Sequence, residues 1–223
     1  MQKKRITAWL TCFLLAFVYS ILAFSYSLHR AESIYVGKNF YFLVSMSKCT
    51  EVGIFDVQSE GGAGYLFSYD GKEYVALSVY LNVVDADIVQ STLRAEGEKT
   101  ELKQASVERL YFSAGSEKAR KNAYVAALDC LYQHITVLEG EIARLSKGGT
   151  QESSKRILRI LSKQFSYLAK IYDKTYENFS RYCKTAAGDI DREIEQTVYV
   201  SRLRYILCDM CVNYLNFSKG FEL

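Results

Sequence analysis

Residues 65–81 read YLFSYDGKEYVALSVYL. Two runs of aromatic and β-branched residues, Tyr65 to Tyr69 and Tyr74 to Leu81, flank Asp70-Gly71. A DG pair in that setting is among the strongest short hairpin signals, because the tight primed turn needs positive φ at both central positions. Tyr65, Phe67 and Tyr69 alternate onto one face and Tyr74, Ala76, Ser78 and Tyr80 onto another, which is the period of a strand. The stretch therefore predicts a β-hairpin.

Working outward, Phe40 to Met46 reads as an earlier strand. Between it and the hairpin, CTEVGIFDVQSEGGAG from Cys49 to Gly64 predicts a short or irregular helix before a glycine-rich turn. After the hairpin, Asn82 is a candidate N-cap for a helix to about Glu96, with Val84, Ile88, Val89 and Leu93 on one face and Gly97 at its end. Val107 to Phe112 supplies a last strand. Residues 36–113 thus form a small domain with the order βαββαβ.

At these residues the domain resembles the SPOR family, a peptidoglycan-binding, ferredoxin-like fold with that order of elements. Tyr41-Phe42-Leu43-Val44 is similar to the family's opening strand, and Tyr74-Val75-Ala76-Leu77-Ser78-Val79-Tyr80 to its third. The opening strand lacks the polar residue, often Gln, that members carry, and the third lacks a Gly-Pro-Phe-like ending. The resemblance implies a sheet face that holds peptidoglycan glycan strands, with Tyr41, Leu43, Tyr74, Ala76 and Ser78 as the corresponding positions. Sugar rings stacking on tyrosine would supply the contact, since tyrosine pairs an apolar face with a polar tip.

From Ser116 the period changes from two to about three and a half. Tyr124, Leu128, Leu131, Ile135, Leu138, Ile142 and Leu145 form one stripe. After Gly148-Gly149, with Thr150 as cap, Leu158, Leu161, Phe165, Leu168, Tyr172, Thr175, Phe179 and Tyr182 form a second. Gly188-Asp189 restarts the pattern through Ile190, Ile194, Val198, Ser201, Tyr205, Cys208, Val212 and Leu215. Short glycine links require antiparallel neighbours, so residues 116–218 predict an antiparallel three-helix bundle. Leu203, Ile206, Leu207, Met210 and Tyr214 lie off the third stripe, a surplus either packed inside the bundle or offered to a protein partner.

At the other end of the chain, residues 6–28 contain 23 residues and no charge, against the roughly 20 that a helix needs to cross a bilayer. Lys3, Lys4 and Arg5 precede this run, and positive flanks stay cytoplasmic. Residues 1–30 therefore predict a cytoplasmic stub and a transmembrane anchor, with the carboxyl end outside a bacterial cell membrane. The rival reading is a cleaved signal peptide, with Ala23 and Ser25 as the small residues before a processing site.

Setting those three basic residues apart from the 28 in the chain leaves 25 against 25 acidic ones. A neutral exported part argues against nucleic acid, which needs clustered basic charge. There is no proline, where average usage of about 5% would give about 11; long helices and tight glycine turns fit this.

Chemistry-bearing patterns are sparse. Cys208-Asp209-Met210-Cys211 has CxxC spacing but falls within a predicted helix, without the second CxxC or histidine pair that zinc needs. His29 and His134 have no nucleophile partner, and Gly61-Gly62-Ala63-Gly64 leads into a strand whereas phosphate loops open a helix. The sequence thus predicts an α+β protein, non-enzymatic, with no cofactor or metal. Its expected role is a membrane-tethered envelope protein with a peptidoglycan-binding module and a helical interaction module, or else a binding-inert scaffold whose bundle recruits another protein.

Overall fold

A computed structural model describes residues 32–46, 51–112 and 117–219 of the chain. The fold is α+β, a four-stranded antiparallel sheet followed by helices. Its elements are β1 (Glu32–Ser45), α1 (Glu51–Ser59), β2 (Tyr65–Tyr69), β3 (Lys72–Tyr80), α2 (Val83–Ala95), β4 (Thr100–Phe112), α3 (Lys118–Ser146), α4 (Gln151–Tyr172), α5 (Glu177–Glu195) and α6 (Val200–Ser218). The strands lie in the order β2-β3-β1-β4. The run at 6–28 lies outside the described residues, and among those described no helix is long and apolar enough to cross a membrane.

The hairpin forms where the DG pair predicts it. Phe67 pairs with Tyr74 and Tyr69 with Lys72, while Asp70 and Gly71 take φ of 51° and 72°, the left-handed pair that a type I′ turn requires. Both outer strands of the expected set are longer than their apolar runs. β1 and β4 pair from Glu32↔Phe112 to Ser45↔Thr100, and polar residues facing solvent on one side interrupt the apolar pattern on the other.

Asn82 caps α2 by accepting from the Val84 amide at 2.9 Å. The helix ends in a Schellman motif, with the Glu98 amide donating to Leu93 O and that of Gly97 (φ 95°) to Arg94 O. The expected apolar face is displaced, however. Val84 and Ile88 are exposed, whereas Ala86 and Gln90 are buried. The Gln90 amide lies against the start of β4 at Thr100, so a polar contact sets the helix rotation.

The three-helix expectation is corrected to four helices. Gly148 (φ 88°) and Thr150 make the predicted first break, Thr150 accepting from the Ser153 amide. The second break falls at 173–176, inside what reads as one continuous stripe. There Asp173 accepts from Ser180 Oγ at 3.2 Å and Lys184 Nζ at 2.6 Å, while Tyr172 and Tyr176 donate their hydroxyls to Ala123 O and Arg120 O of α3. Gly188 lies within α5 rather than at a turn. The third break, at 196–199, is held by Gln151, whose side-chain amide donates to Val198 O and accepts from Val198 N, both at 2.9 Å.

Sheet and helices share one connected core, running from Phe40, Phe42, Val79 and Leu110 through Leu131 and Phe165 to Leu207 and Tyr214. The surplus apolar side of the last helix is explained by the sheet. Leu203, Leu207, Met210 and Tyr214 are buried, with the Tyr214 ring 5.4 Å from Phe40 and Tyr205 5.0 Å from Tyr65. On the other side of the sheet, Val57 of α1 and Val89 and Leu93 of α2 surround Leu43, Leu77 and Ser78. The sheet is therefore the middle of three layers over much of its area.

Candidate functional site

The five sheet positions do not share one open face. Leu43 faces Ser78 across the strands, and Val44 faces Ala76. One extra residue, Leu77, is thus accommodated in β3 at a bulge. A single inserted residue reverses the parity of a strand beyond it. Ala76 consequently belongs to the core shared with the helices, whereas Leu43 and Ser78 face α1 and α2. Leu43, Ala76 and Ser78 are 1%, 0% and 4% exposed, too little to meet a sugar ring.

Tyr41 and Tyr74 are each half-buried. Tyr41 pairs with Tyr80 on one strand and Gln104 on the other. Tyr74 sits beside Phe67 with the Lys103 ammonium 4.8 Å from its ring centre. Phe67 itself stacks on Phe42 at 4.5 Å. The aromatic side of the sheet is thereby closed by its own rings at one end and by α6 at the other.

A polar arrangement joins α6 to the sheet. Tyr65 donates its hydroxyl to Asp209 Oδ1 at 3.1 Å, and Asn213 Nδ2 donates to the same oxygen at 3.2 Å. Arg204 donates to Gly61 O at 2.7 Å, and Glu139 of α3 accepts from the Leu81 amide at 2.8 Å. No ion pair among the described residues reaches Asp209, and burial pushes its carboxyl above the usual range despite the Tyr65 contact. Burial and the neighbouring carboxylate together raise the Tyr65 phenol as well. Sequence reading could register Asp209 only as the interior of a CxxC; its partner is 144 positions away.

Beside Asp209 a cleft of about 420 Å³ opens between α5 and α6, lined among others by Tyr182, Asp189, Tyr205 and Asn213. Carboxylate and amide oxygens with aromatic walls can accept hydrogen bonds from a ligand. They offer no nucleophile with an adjacent base.

Cys130, Cys183, Cys208 and Cys211 are free thiols. Burial pushes Cys183 up to about 12 and raises Cys208 and Cys211 as well, which keeps all three protonated and apolar. His134 lies edge-on to Phe165 at 4.6 Å, and burial lowers its pKa. Among the described residues no group of three His, Cys, Asp or Glu side chains is placed to hold a metal ion. No protein-family model, no curated protein and no solved structure matches this chain.

Proposed function

We propose that the chain is a non-enzymatic bacterial envelope protein, anchored by residues 6–28, in which a SPOR-like sheet serves as the platform for a helical interaction module. The βαββαβ order and the strand order β2-β3-β1-β4 support the SPOR-like, ferredoxin-like assignment. One observation carries the choice between wall binding and scaffolding: both sheet faces are covered, Ala76 by the helical layer that includes α6 and Leu43 and Ser78 by α1 and α2. A face that is already filled has no area left to hold glycan.

The interaction surface then belongs to the helices. On α4, Ile160, Tyr167 and Ile171 are 49%, 65% and 49% exposed and recur at steps of seven and four, which places them on one side of the helix. Arg156, Arg159, Lys163 and Lys170 are exposed on the same helix. An apolar stripe among basic residues suits an acidic amphipathic helix of a protein partner.

Binding to purified, peptide-stripped peptidoglycan sacculi tests the reading. The exported part should show no saturable binding. Saturable binding that Tyr41→Ala and Tyr74→Ala abolish would reinstate the wall-binding module and overturn the scaffold.

A further inference from the structure

From Glu32 to Phe40, β1 is paired only with β4, since pairing with β3 begins at Tyr41. One side of this ribbon packs on the helices, where Phe112 meets the edge of Tyr124 at 6.0 Å. The other side carries Ser33, Tyr35, Arg109 and Tyr111, with Ser33 opposite Tyr111 and Tyr35 opposite Arg109. Tyr35 and Tyr111 are 71% and 66% exposed, although tyrosine ordinarily buries its ring. The residues of α1 and α2 that cover the sheet do so farther along, over Leu43 and Ser78.

Three helix ends converge beside the same ribbon. Tyr124, in contact with Phe112, donates its hydroxyl to Phe217 O near the end of α6, and Tyr176 in the α4–α5 turn donates to Arg120 O near the start of α3. The exposed residues there include Lys118, Arg120, Lys174 and Lys219. At the α4–α5 turn Asp173 and Glu177 are already paired with Lys184 and Arg181, so with Arg109 these bases outnumber the remaining exposed acids described there, Glu108 and Glu117. Glu32 pairs with Phe112, so this is also the end at which the chain arrives from the apolar run that stops at Leu28.

We propose that this end is a membrane-docking surface, with Tyr35 and Tyr111 at headgroup level and the basic helix ends against the phosphates of anionic lipids. The inference rests on reading residues 6–28 as an anchor. Three residues, and so four Cα-to-Cα steps, separate Leu28 from Glu32, a reach of at most about 14 Å at about 3.6 Å a step. That is close to the Debye length of about 10 Å at 0.1 M salt, so the basic groups are held where an anionic surface attracts them. Exposed tyrosine at the base of an anchored domain is stabilised at the interface, where its ring meets acyl boundary and its hydroxyl meets water.

The test uses the full chain in nanodiscs of phosphatidylcholine, with or without phosphatidylglycerol, and a spin label on the lipid headgroup. Trp9 is the only tryptophan, so Trp9→Phe combined with Tyr35→Trp, Tyr111→Trp or Met46→Trp gives single reporters. Met46 follows the far end of β1, about 35 Å from Tyr35 along an extended strand at about 3.3 Å per residue. Reporters at 35 and 111 should be quenched several-fold more than the one at 46. The difference should grow with phosphatidylglycerol and shrink in high salt or with Arg120→Glu/Lys174→Glu. Equal quenching at 35, 111 and 46 in a chain that resists alkaline extraction would overturn the surface while leaving the anchor standing. Release of the chain by alkaline carbonate would overturn the anchor, and the surface with it.

Discussion

Truncating Tyr214 tests whether sheet and helices are one cooperative unit. The side chain is fully buried, 5.4 Å from Phe40 of β1 and 5.9 Å from Tyr132 of α3, so it bridges the layers. Removing a buried aromatic ring to alanine costs about 3–5 kcal/mol. At roughly 2–4 °C per kcal/mol for a chain of this size, the melting temperature should fall by on the order of 10 °C. Tyr214→Phe should behave oppositely. The hydroxyl is buried without a hydrogen-bond partner, so its loss removes an unsatisfied group and should leave stability unchanged or raise it by up to about 1 kcal/mol. A double-mutant cycle with Phe40→Ala should return a coupling of about 0.5–1.5 kcal/mol. Denaturant melts followed by far-ultraviolet circular dichroism would report the helices, and hydrogen exchange at Val75 and Val79 would report the sheet. The reasoning fails if Tyr214→Ala melts the helices while the β3 amides keep their protection, or if the coupling is under about 0.3 kcal/mol.

Three further outcomes follow from other contacts. Asp209 is held above its ordinary pKa by burial, so its contribution is fully present below the unfolded aspartate range near 3.9 and is lost as pH rises through the raised value. Asp209→Asn should remove that pH dependence and gain relative to wild type as pH increases, measured by urea melts across the acid range; parallel curves would refute it. Gln151→Ala leaves both backbone groups of Val198 without their partner, and should cost about 1–3 kcal/mol with faster hydrogen exchange at Val198. Ile160→Glu with Ile171→Glu should change stability by less than about 0.5 kcal/mol each, as exposed positions do. The pair should nonetheless abolish a photo-cross-link from position 167 to a partner in cells, and an unchanged cross-link would remove α4 as the docking face.

Local chemistry was legible in the sequence; long-range placement was not. The DG turn, the Asn82 cap, the Gly97 stop and the Gly148–Thr150 link each depend on residues within a few positions, and each stands where its residue type requires. The break at 173–176 has no glycine or proline to mark it, because Asp173 and the two tyrosine hydroxyls are satisfied by partners 7 to 56 positions away. Gly188 misled for the converse reason: it faces open space within α5, and glycine in a helix costs only about 1 kcal/mol. The candidate glycan positions do not share one face because Ala76 and Ser78, which have the same parity in the sequence, lose it at the bulged Leu77. The double-sided apolar surface of the last helix was visible. That the sheet covers it was not, because an apolar stripe specifies burial and leaves the covering element open.

The abundance of tyrosine, 18 residues against 12 phenylalanines, makes sense in light of how the layers are joined. Phenylalanine would fill the same volume, but a phenol that donates to an acceptor fixes direction as well as contact. Tyr124, Tyr172 and Tyr176 each direct a hydroxyl at a main-chain carbonyl of another element, Tyr69 does so across the sheet to Gln104 O, and Tyr65 reaches Asp209. Apolar stripes alone allow helices to slide by a turn, whereas a hydroxyl aimed at one carbonyl loses its bond if the register shifts. Three of these bonds join the start of α3, the α4–α5 turn and the end of α6 beside the ribbon where the chain arrives at Glu32. The register they fix is therefore that of the end proposed to rest on the membrane, and the exposed stripe of α4 inherits its orientation from the same bonds at Tyr172 and Tyr176.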